Sequence, residues 1–298
     1  EEWRRGWHPE RIATYPKREK VLVVGAGPAG LEAALALGRR GLEVSLAEKS
    51  RHLGGRILRE ATLPGLSTWT RVRDWRATMI AKLPNIEVFP ESPMIAADIA
   101  DFGADHVVIA TGSRWRRDGI GVVNLDPRDF ATALTPDDVF AGATVTGPVV
   151  IYDDDHYFMG GALAEKLARE GHNVTLVTPQ ATASYWTAYT DEQSFVQARL
   201  LELGVTLELS QHVIAQTEGE ARLACAYTGR EKSIACGTLI SVTGRLPDDG
   251  LYHALQGQVA SLSRVGDCLQ PSSIADAVYS GHRFARLLGE PDLPPRRE

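Results

Sequence analysis

The feature that most constrains this chain is a glycine-rich turn near its start. Residues 21–41, VLVVGAGPAGLEAALALGRRG, run from an apolar stretch through Gly25, Gly27 and Gly30 into a stretch rich in Ala and Leu. This order predicts a strand, a phosphate-binding turn and a helix. Gly25 permits the tight turn, Gly27 lets the main chain approach a pyrophosphate, and Gly30 lets helix and strand pack closely. Pro28 suits the first position of a helix whose free N–H groups and dipole attract an anion.

An acidic residue stands where a ribose would bind. Glu48 follows Gly30 by eighteen positions and ends the next predicted strand, LEVSLAE. A carboxylate there accepts hydrogen bonds from the ribose hydroxyls and repels a 2′-phosphate. A glycine-rich turn alone is a weak signal, but the strand, the helix and the acidic residue together predict a nucleotide site.

A second strand–turn–helix pattern lacks the glycines. In residues 149–168, VVIYDDDHYFMGGALAEKLA, Asp153, Asp155 and Phe158 stand about where the glycines of a dinucleotide turn would be. Side chains there prevent a close main-chain approach, and the carboxylates repel a pyrophosphate. We therefore predict weak or absent NAD(P)H binding. The acidic residues are interpreted as caps of a helix N-terminus, in preference to a cation site that includes His156.

Composition and charge narrow the classes of function. A length of 298 residues suggests about two domains, and 44% hydrophobic with 23% charged residues is typical of a soluble globular protein. The net charge of -6 argues against nucleic acid or an anionic membrane as partner. No apolar stretch is as long as a membrane span and the N-terminus does not resemble a signal peptide, so we expect a cytoplasmic location. Cys225, Cys236 and Cys268 form no CxxC, so no redox disulfide or iron–sulfur ligand set is predicted.

The order of the motifs predicts an α/β fold of two nested Rossmann-like domains of the FAD/NAD(P)-binding, glutathione-reductase type. Residues 1–18 are interpreted as a connector. Residues 19–144 and 245–298 are assigned to a domain that binds ADP or FAD, because the late segment supplies a strand and a closing helix that the first part lacks. Residues 145–244 are assigned to an inserted, degenerate NAD(P)-binding-like domain.

Three further segments resemble the FAD/NAD-linked oxidoreductases of the glutathione-reductase type. They are RHLGGRI at 51–57, HVVIATGSR at 106–114 and SLSRVGDC at 261–268. In that family the GG turn and the ATG turn line the nucleotide site. The late aspartate, here Asp267, binds the ribityl chain of FAD.

Almost the whole chain resembles the trimethylamine, dimethylamine and histamine dehydrogenases, with the histamine dehydrogenase branch nearest. The resemblance is carried by EEWRRGWHPERI, ATLPGLSTW, VVIATGSRWRRDG, YDDDHYFMGG and SVTGRLP. The most specific segment is YDDDHYFMGG, because NAD(P)H-linked relatives keep a glycine-rich loop at that place.

This resemblance implies that the chain is the C-terminal part of a larger flavoprotein oxidoreductase. In that family an N-terminal (β/α)8 barrel oxidises an amine at covalent FMN, and a 4Fe-4S cluster passes the electrons to electron-transfer flavoprotein. The implied partners are therefore the protein's own barrel, electron-transfer flavoprotein and further copies in a homo-oligomer. Two alternatives stay open: a free-standing FAD-dependent NAD(P)H reductase, and a non-catalytic docking scaffold stabilised by ADP.

The resemblance also implies a cofactor site, with no catalytic or metal-binding residue in this chain. Arg56 is expected to donate to the phosphates, Met94 to flank the adenine, and Asp267 to suit a ribityl chain. ADP is favoured over FAD, since a flavin without a hydride donor beside it has no electrons to receive. The expected cofactor-binding residues are Gly25, Ala26, Gly27, Pro28, Ala29, Gly30, Glu48, Lys49, Gly55, Arg56, Met94, Thr111, Gly112 and Asp267.

Overall fold

The computed structural model describes residues 2–8, 10–130 and 132–291. The strands are β1 (Lys20–Val24), β2 (Glu43–Ala47), β3 (Ile86–Phe89), β4 (His106–Ile109), β5 (Ser113–Trp115), β6 (Val149–Asp153), β7 (Val174–Thr178), β8 (Thr206–Leu209), β9 (Gln211–Thr217), β10 (Glu220–Cys225), β11 (Glu231–Ala235), β12 (Thr238–Val242), β13 (Arg245–Pro247) and β14 (Leu262–Arg264). The helices are α1 (Glu2–Arg5), α2 (Pro28–Arg39), α3 (Ile57–Glu60), α4 (Thr70–Ile80), α5 (Ala96–Asp101), α6 (Pro136–Phe140), α7 (Phe158–Arg169), α8 (Gln193–Glu202), α9 (Gly250–Leu255) and α10 (Ile274–Leu287). None of the helices formed by the described residues is both long and apolar enough to cross a bilayer.

The described chain divides into two compact units. Unit 1 contains the residues up to Ala61, Thr68–Ser113 and the residues from Pro247 onward; unit 2 contains Thr62–Ser67 and Arg114–Leu246. The chain therefore leaves unit 1, forms most of unit 2 and returns. Residues 114–144 cluster with unit 2, whereas the sequence prediction placed them in the first domain.

A buried carboxylate explains why this segment joins unit 2. Asp154 is fully buried and accepts the main-chain N–H groups of Val123 at 3.0 Å and Asn124 at 2.8 Å. Further along, the N–H of Leu134 donates to the carbonyl oxygen of Leu239 on β12 at 2.9 Å. Residues 114–144 are thus tied to the sheet of unit 2.

Unit 1 is built on a five-stranded parallel sheet of order β14-β4-β1-β2-β3. The central strand β1 has the sequence KVLVV, and its four apolar residues are buried, as expected of a strand covered on both faces. Helices α2 and α10 approach closely at Gly281, where an added Cβ would lie 2.2 Å from the carbonyl oxygen of Ala29. The predicted connector, residues 1–18, contains α1 and contributes Tyr15 to the hydrophobic core.

Unit 2 is built on a four-stranded parallel sheet of order β12-β6-β7-β8 and a three-stranded antiparallel sheet of order β11-β10-β9. All five residues of β6 are buried, and the strand runs into α7 through the acidic turn. The phenol of Tyr152 on β6 is 3.0 Å from Nδ1 of His212 on β9. Burial lowers the pKa of His212.

Candidate nucleotide-binding site

Two glycines let strand, turn and helix pack together in unit 1. Gly25 follows β1 with φ 105°, and an added Cβ would lie 2.4 Å from the carbonyl oxygen of Ala110. Gly30 is the third residue of α2, and its added Cβ would lie 1.9 Å from the carbonyl oxygen of Gly25. No side chain fits at either position, since real Cβ contacts of this length do not occur.

The third glycine of the turn faces open space. Gly27 is the N-cap of α2, has no capping side chain, and would meet no atom within 4 Å if it carried a Cβ. Pro28 begins the helix, and Ala29 is buried behind it. An uncapped helix start with unobstructed space in front of it is a suitable place for an anion.

Glu48 supports the turn from the end of β2. Its carboxylate is buried; Oε2 accepts the N–H of Ala26 at 2.8 Å, and Oε1 accepts the N–H and the hydroxyl of Ser50 at 2.9 and 2.6 Å. An ionised carboxylate has about four acceptor positions, so it can still accept a ribose hydroxyl. The sequence predicted the ribose contact but not the support of the turn. Lys49 is exposed beside it.

The predicted GG turn packs directly on the glycine-rich turn. The N–H of Gly54 donates to the carbonyl oxygen of Ala26 at 2.8 Å. Gly55 has φ 56°, and its added Cβ would lie 3.1 Å from Cα of Gly27. The guanidinium of Arg56 donates through Nη2 to the carbonyl oxygen of Ser113 at 2.8 Å, which directs it toward the ATG turn.

The ATG turn is held by the returning chain. The hydroxyl of Thr111 donates to the carbonyl oxygen of Asp248 and lies 3.3 Å from Sγ of Cys268. Gly112 has φ 85°, and its carbonyl oxygen accepts the N–H of Asp248 at 2.9 Å. The two predicted pocket residues therefore lie against the segment that precedes α9.

Asp267 lies beside this turn, in the short 3₁₀ segment after β14. Its Oδ2 accepts the hydroxyl of Ser113 at 2.8 Å, and Oδ1 accepts the N–H of Ser272 at 3.2 Å. The preceding Gly266 has φ 61°, and an added Cβ would lie 2.4 Å from Cβ of Ala29 in the first turn of α2. Close packing at Gly266 thus brings Asp267 next to the helix start. The sequence reasoning missed Gly266, Ser113 and Ser272.

Met94 lies on the Glu48 side of the site. The N–H of Ser92 donates to the carbonyl oxygen of Glu48 at 2.8 Å, which places residues 92–94 beside the end of β2. The side chain of Met94 is half-buried and packs on the core cluster that contains Val24 and Ala47. This placement is compatible with the predicted role of Met94 beside an adenine.

In unit 2 the corresponding turn binds its own main chain. Asp153 is fully buried at the end of β6, and its Oδ1 accepts the N–H groups of His156 at 2.9 Å and Asp155 at 3.3 Å. The carboxylate of Asp155 accepts the N–H of Tyr157. The N–H groups that would face a pyrophosphate are therefore already bonded to side chains of the turn.

The acidic turn is also longer than the glycine-rich one. Three residues, 25–27, separate β1 from α2, whereas four residues, 154–157, separate β6 from α7. The third residue of α7 is Gly160, and an added Cβ there would lie 2.5 Å from Cγ of Asp153. The prediction that Phe158 takes the place of the third glycine is therefore wrong, since Gly160 holds that position and packs against the aspartate.

The prediction that these carboxylates cap α7 is also wrong. No side chain caps this helix, because Asp153 and Asp155 bond the turn before it and Asp154 bonds residues 123 and 124. Burial raises the pKa of Asp153 to about 7 and also raises the pKa of Asp155. Charge repulsion is thus a weaker barrier to a pyrophosphate than the loss of free N–H donors. Among the described residues, no group of three or more His, Cys, Asp or Glu side chains could hold a metal ion.

The loop after β7 packs against the same turn. The N–H of Trp186 donates to the carbonyl oxygen of His156 at 2.9 Å, and the side-chain amide of Gln180 lies 3.5 Å from Nδ1 of His156. The buried hydroxyl of Ser184 is 2.6 Å from where a Cβ on Gly161 would be. The space beside the start of α7 is therefore occupied by protein.

Two units, each with a parallel sheet and a strand–turn–helix at its carboxyl edge, define a nucleotide-binding oxidoreductase of Rossmann type. The predicted fold class is confirmed. The chain belongs to the pyridine nucleotide-disulphide oxidoreductase family, whose model matches residues 19–267. Membership in this family implies a bound flavin nucleotide, and the open turn of unit 1 fits such a group. All three cysteines, Cys225, Cys236 and Cys268, are free thiols.

The chain is similar to several amine dehydrogenases and an amine oxidase. It is 35% identical to dimethylamine dehydrogenase from Hyphomicrobium sp. (strain x), over 98% of this chain and 45% of that protein. Histamine dehydrogenase from Rhizobium sp. 4-9 superimposes with a TM-score of 0.94 at 45% identity, over 100% of this chain and 49% of that one. The 6-hydroxypseudooxynicotine amine oxidase from Pseudomonas geniculata N1 gives a TM-score of 0.93 at 37% identity, over 97% of this chain and 44% of that one.

These comparisons confirm the resemblance to the dimethylamine and histamine dehydrogenases that the sequence indicated. The chain spans about half the length of these relatives. The relatives that it matches are oxidoreductases, and the part of them that it matches corresponds to both units of this chain.

Proposed function

We propose that this chain is the nucleotide-binding module of a larger flavoprotein oxidoreductase that oxidises an amine. The similarity to dimethylamine and histamine dehydrogenases over nearly all of this chain, and about half of each relative, supports a further catalytic part outside it. That part is the FMN barrel with a 4Fe-4S cluster, and electron-transfer flavoprotein is the acceptor. The full enzyme is a homo-oligomer in the cytoplasm.

The single observation that carries the assignment of roles is the contrast between the two turns. Gly27 leaves the turn of unit 1 bare, whereas the turn of unit 2 bonds its N–H groups to Asp153 and Asp155. A dinucleotide needs main-chain donors for its pyrophosphate. Unit 1 therefore binds ADP or FAD, and unit 2 binds no NAD(P)H.

The residues proposed to hold the nucleotide have distinct tasks. Gly25, Gly27 and Gly30 shape the turn, and the start of α2 supplies N–H donors to the phosphates. Glu48 accepts from the ribose while it supports the turn. Asp267 has one oxygen bonded to Ser113 and the other to Ser272, and its carboxylate retains acceptor capacity for a ribityl hydroxyl. A flavin, if bound there, supplies an electron carrier.

Identification of the nucleotide released on denaturation tests the unit 1 assignment. ADP gives an adenine absorbance in the ultraviolet only, whereas FAD gives a yellow supernatant. Release of neither would contradict nucleotide binding in unit 1. Of the two, ADP is the expected product, because a flavin with no hydride donor beside it receives no electrons.

Dye reduction by the intact protein tests the oxidoreductase assignment. With a one-electron acceptor, we expect turnover with a secondary amine or an aralkyl amine such as histamine, and none with NADH or NADPH. Rapid NADPH-dependent reduction would instead establish the alternative, an FAD-dependent NAD(P)H reductase. If nucleotide-site variants leave electron delivery unchanged but lower thermal stability, the nucleotide serves a structural scaffold.

A further inference from the structure

A second cavity of unit 1 lies where the first residues of the chain meet the ends of α2 and α10. Its volume is about 350 Å³. Four arginines line it, namely Arg5, Arg11, Arg40 and Arg286, together with Trp7 and Glu290. Among the described lining residues, Glu290 is the acidic one, so the cavity carries a net positive charge.

Arg40 is one of two buried arginines at this cavity. It is 3% exposed, and it follows the last residue of α2. Its Nε donates to the carbonyl oxygen of Ala13 at 3.0 Å, and Nη1 donates to the carbonyl oxygens of Ala285, Arg286 and Leu288 at the end of α10. These hydrogen bonds use Nε and Nη1 of Arg40 but not Nη2. Arg40 also lines the cavity.

Arg286 is the other buried arginine. It is 6% exposed, and Nη2 donates to the carbonyl oxygens of His8 at 2.6 Å and Arg11 at 2.9 Å. Its guanidinium lies over the ring of Trp7, 5.3 Å from the centroid. Its Nε is buried and has no hydrogen-bond partner among the described residues. A buried charged donor without a partner is unfavourable.

The surrounding dipoles compensate these charges only in part. The carbonyl ends of α2 and α10 favour cations, which accounts for the position of Arg40. Within the part of the chain that the structure describes, neither guanidinium forms an ion pair with a carboxylate. Two buried cations with one acidic residue at the cavity leave a place for an oxyanion.

We propose that this cavity binds the phosphate group of a small molecule. Guanidinium groups bind oxyanions through charge-assisted hydrogen bonds. Here the donors come from three different elements: the connector, the end of α2 and the end of α10. A tetrahedral group with several acceptor oxygens accepts from such spread donors, whereas a planar carboxylate suits one guanidinium fork.

The cavity is distinct from the nucleotide site. Gly27 and Arg40 lie at opposite ends of α2, which has 12 residues. A helix of this length spans about 18 Å. A phosphate held at Arg40 therefore cannot be one of the phosphates bound at Gly27, and the two sites can be filled independently.

Calorimetric titration of the intact protein with inorganic phosphate tests the proposal. Saturating ADP is present throughout, so that the nucleotide site is filled, and sodium chloride of matched ionic strength serves as the blank. We expect saturable binding of one phosphate. We expect Arg11→Gln to weaken it about tenfold, which corresponds to about 1.4 kcal/mol, because one charge-assisted hydrogen bond is lost.

Arg18→Gln is the matched control, because Arg18 is an exposed arginine of the same segment that does not line the cavity. This variant should bind phosphate as the parent does. Arg11 is exposed, so its substitution should leave the fold intact, which thermal unfolding without phosphate checks. The absence of saturable binding, or equal affinities of Arg11→Gln and Arg18→Gln, would overturn the proposal. A failure of ADP binding would count against the proposed nucleotide site and not against this one.

Discussion

The carboxylate of Asp153 accepts the main-chain N–H of His156 at 2.9 Å, inside the turn of unit 2 that corresponds to the nucleotide-binding turn of unit 1. In unit 1 the same architectural position is left to glycine, and Gly27 faces open space. One strand–turn–helix is therefore receptive to a phosphate, while the other has satisfied its own donors.

The first prediction concerns the pH dependence that Asp153 gives to stability. Burial raises its pKa in the folded protein to about 7, from 3.8 in the unfolded chain. Between these values the folded state holds a proton that the unfolded state has lost, so the free energy of unfolding falls as pH rises. Asp153→Asn removes the titrating group. The change in unfolding free energy that Asp153 causes over this pH range, at most about 4 kcal/mol, should therefore vanish in the variant.

Denaturant unfolding across this pH range measures the effect. The quantity of interest is the difference in unfolding free energy between the parent and Asp153→Asn at each pH. Asp191→Asn is the control. Asp191 is an exposed residue of the same unit, and its left-handed backbone conformation is one that asparagine also adopts. A parent–variant difference for Asp153 that is constant with pH would contradict a buried carboxyl group of raised pKa.

The second prediction separates the two roles of glycine in the turn of unit 1. Gly30→Ala places a Cβ 1.9 Å from the carbonyl oxygen of Gly25, and this overpacking should destabilise unit 1 by about 1–3 kcal/mol or more. Gly27→Ala meets no protein atom within 4 Å and should leave apo stability unchanged. Its methyl group nevertheless lies in front of the helix start, so ADP affinity should fall.

Thermal unfolding with and without ADP distinguishes these outcomes. For Gly27→Ala we expect a normal melting temperature that ADP no longer raises as it does in the parent. For Gly30→Ala we expect a lowered melting temperature without ligand. Undiminished stabilisation of Gly27→Ala by ADP would mean that the nucleotide does not approach the main chain at this turn.

The elements around the two turns were predictable because their patterns are local. The apolar run before Gly25, the proline at the first helical position and the Ala-rich stretch predict β1 and α2 from neighbouring residues alone. The same holds for β6, the apolar strand that precedes the acidic turn. Glu48 was predictable because its distance from the glycines follows from one strand and one helix of fixed rise.

Contacts between distant parts of the chain were not predictable in this way. Gly266 and Gly281 read as ordinary glycines, yet an added Cβ at either would collide with Ala29. The assignment of residues 114–144 differed because Asp154, thirty positions downstream, binds Val123 and Asn124. Sequence spacing also gave no sign that the turn of unit 2 is one residue longer than that of unit 1, and the prediction placed Phe158 where Gly160 lies.

The third prediction concerns the support that Glu48 gives to the glycine-rich turn. Its two oxygens accept from Ala26 and Ser50. Glu48→Gln replaces one acceptor oxygen with an NH2 group that faces these donors, which should cost about 1–3 kcal/mol of stability. ADP affinity should fall about tenfold, because a charge-assisted bond to the ribose is lost.

Titration of the variant with ADP, together with unfolding of the apo protein, checks both effects. Glu43→Gln is the control, since Glu43 begins the same strand and is exposed. Full ADP affinity in Glu48→Gln, with the control unchanged, would show that the carboxylate does not contact the ribose. A drop in affinity without a drop in apo stability would instead remove its role as support of the turn.

The fourth prediction has the opposite sign to that for Asp153. The carboxylate of Glu19 accepts the phenol of Tyr15 and is 2.8 Å from Nε2 of His106, and these bonds lower its pKa from 4.5 to about 2. Its contribution to stability is therefore present above pH 4.5 and is lost as pH falls toward 2. Glu19→Gln should be less stable than the parent at neutral pH, and this difference should shrink on acidification through that window. The exposed Glu87→Gln, on the edge strand β3 of the same sheet, provides the baseline in acid titrations followed by circular dichroism. A gap between parent and Glu19→Gln that persists unchanged to pH 2 would mean that packing of the side chain, and not its ionised form, holds the first residues of the chain to the edge of the sheet.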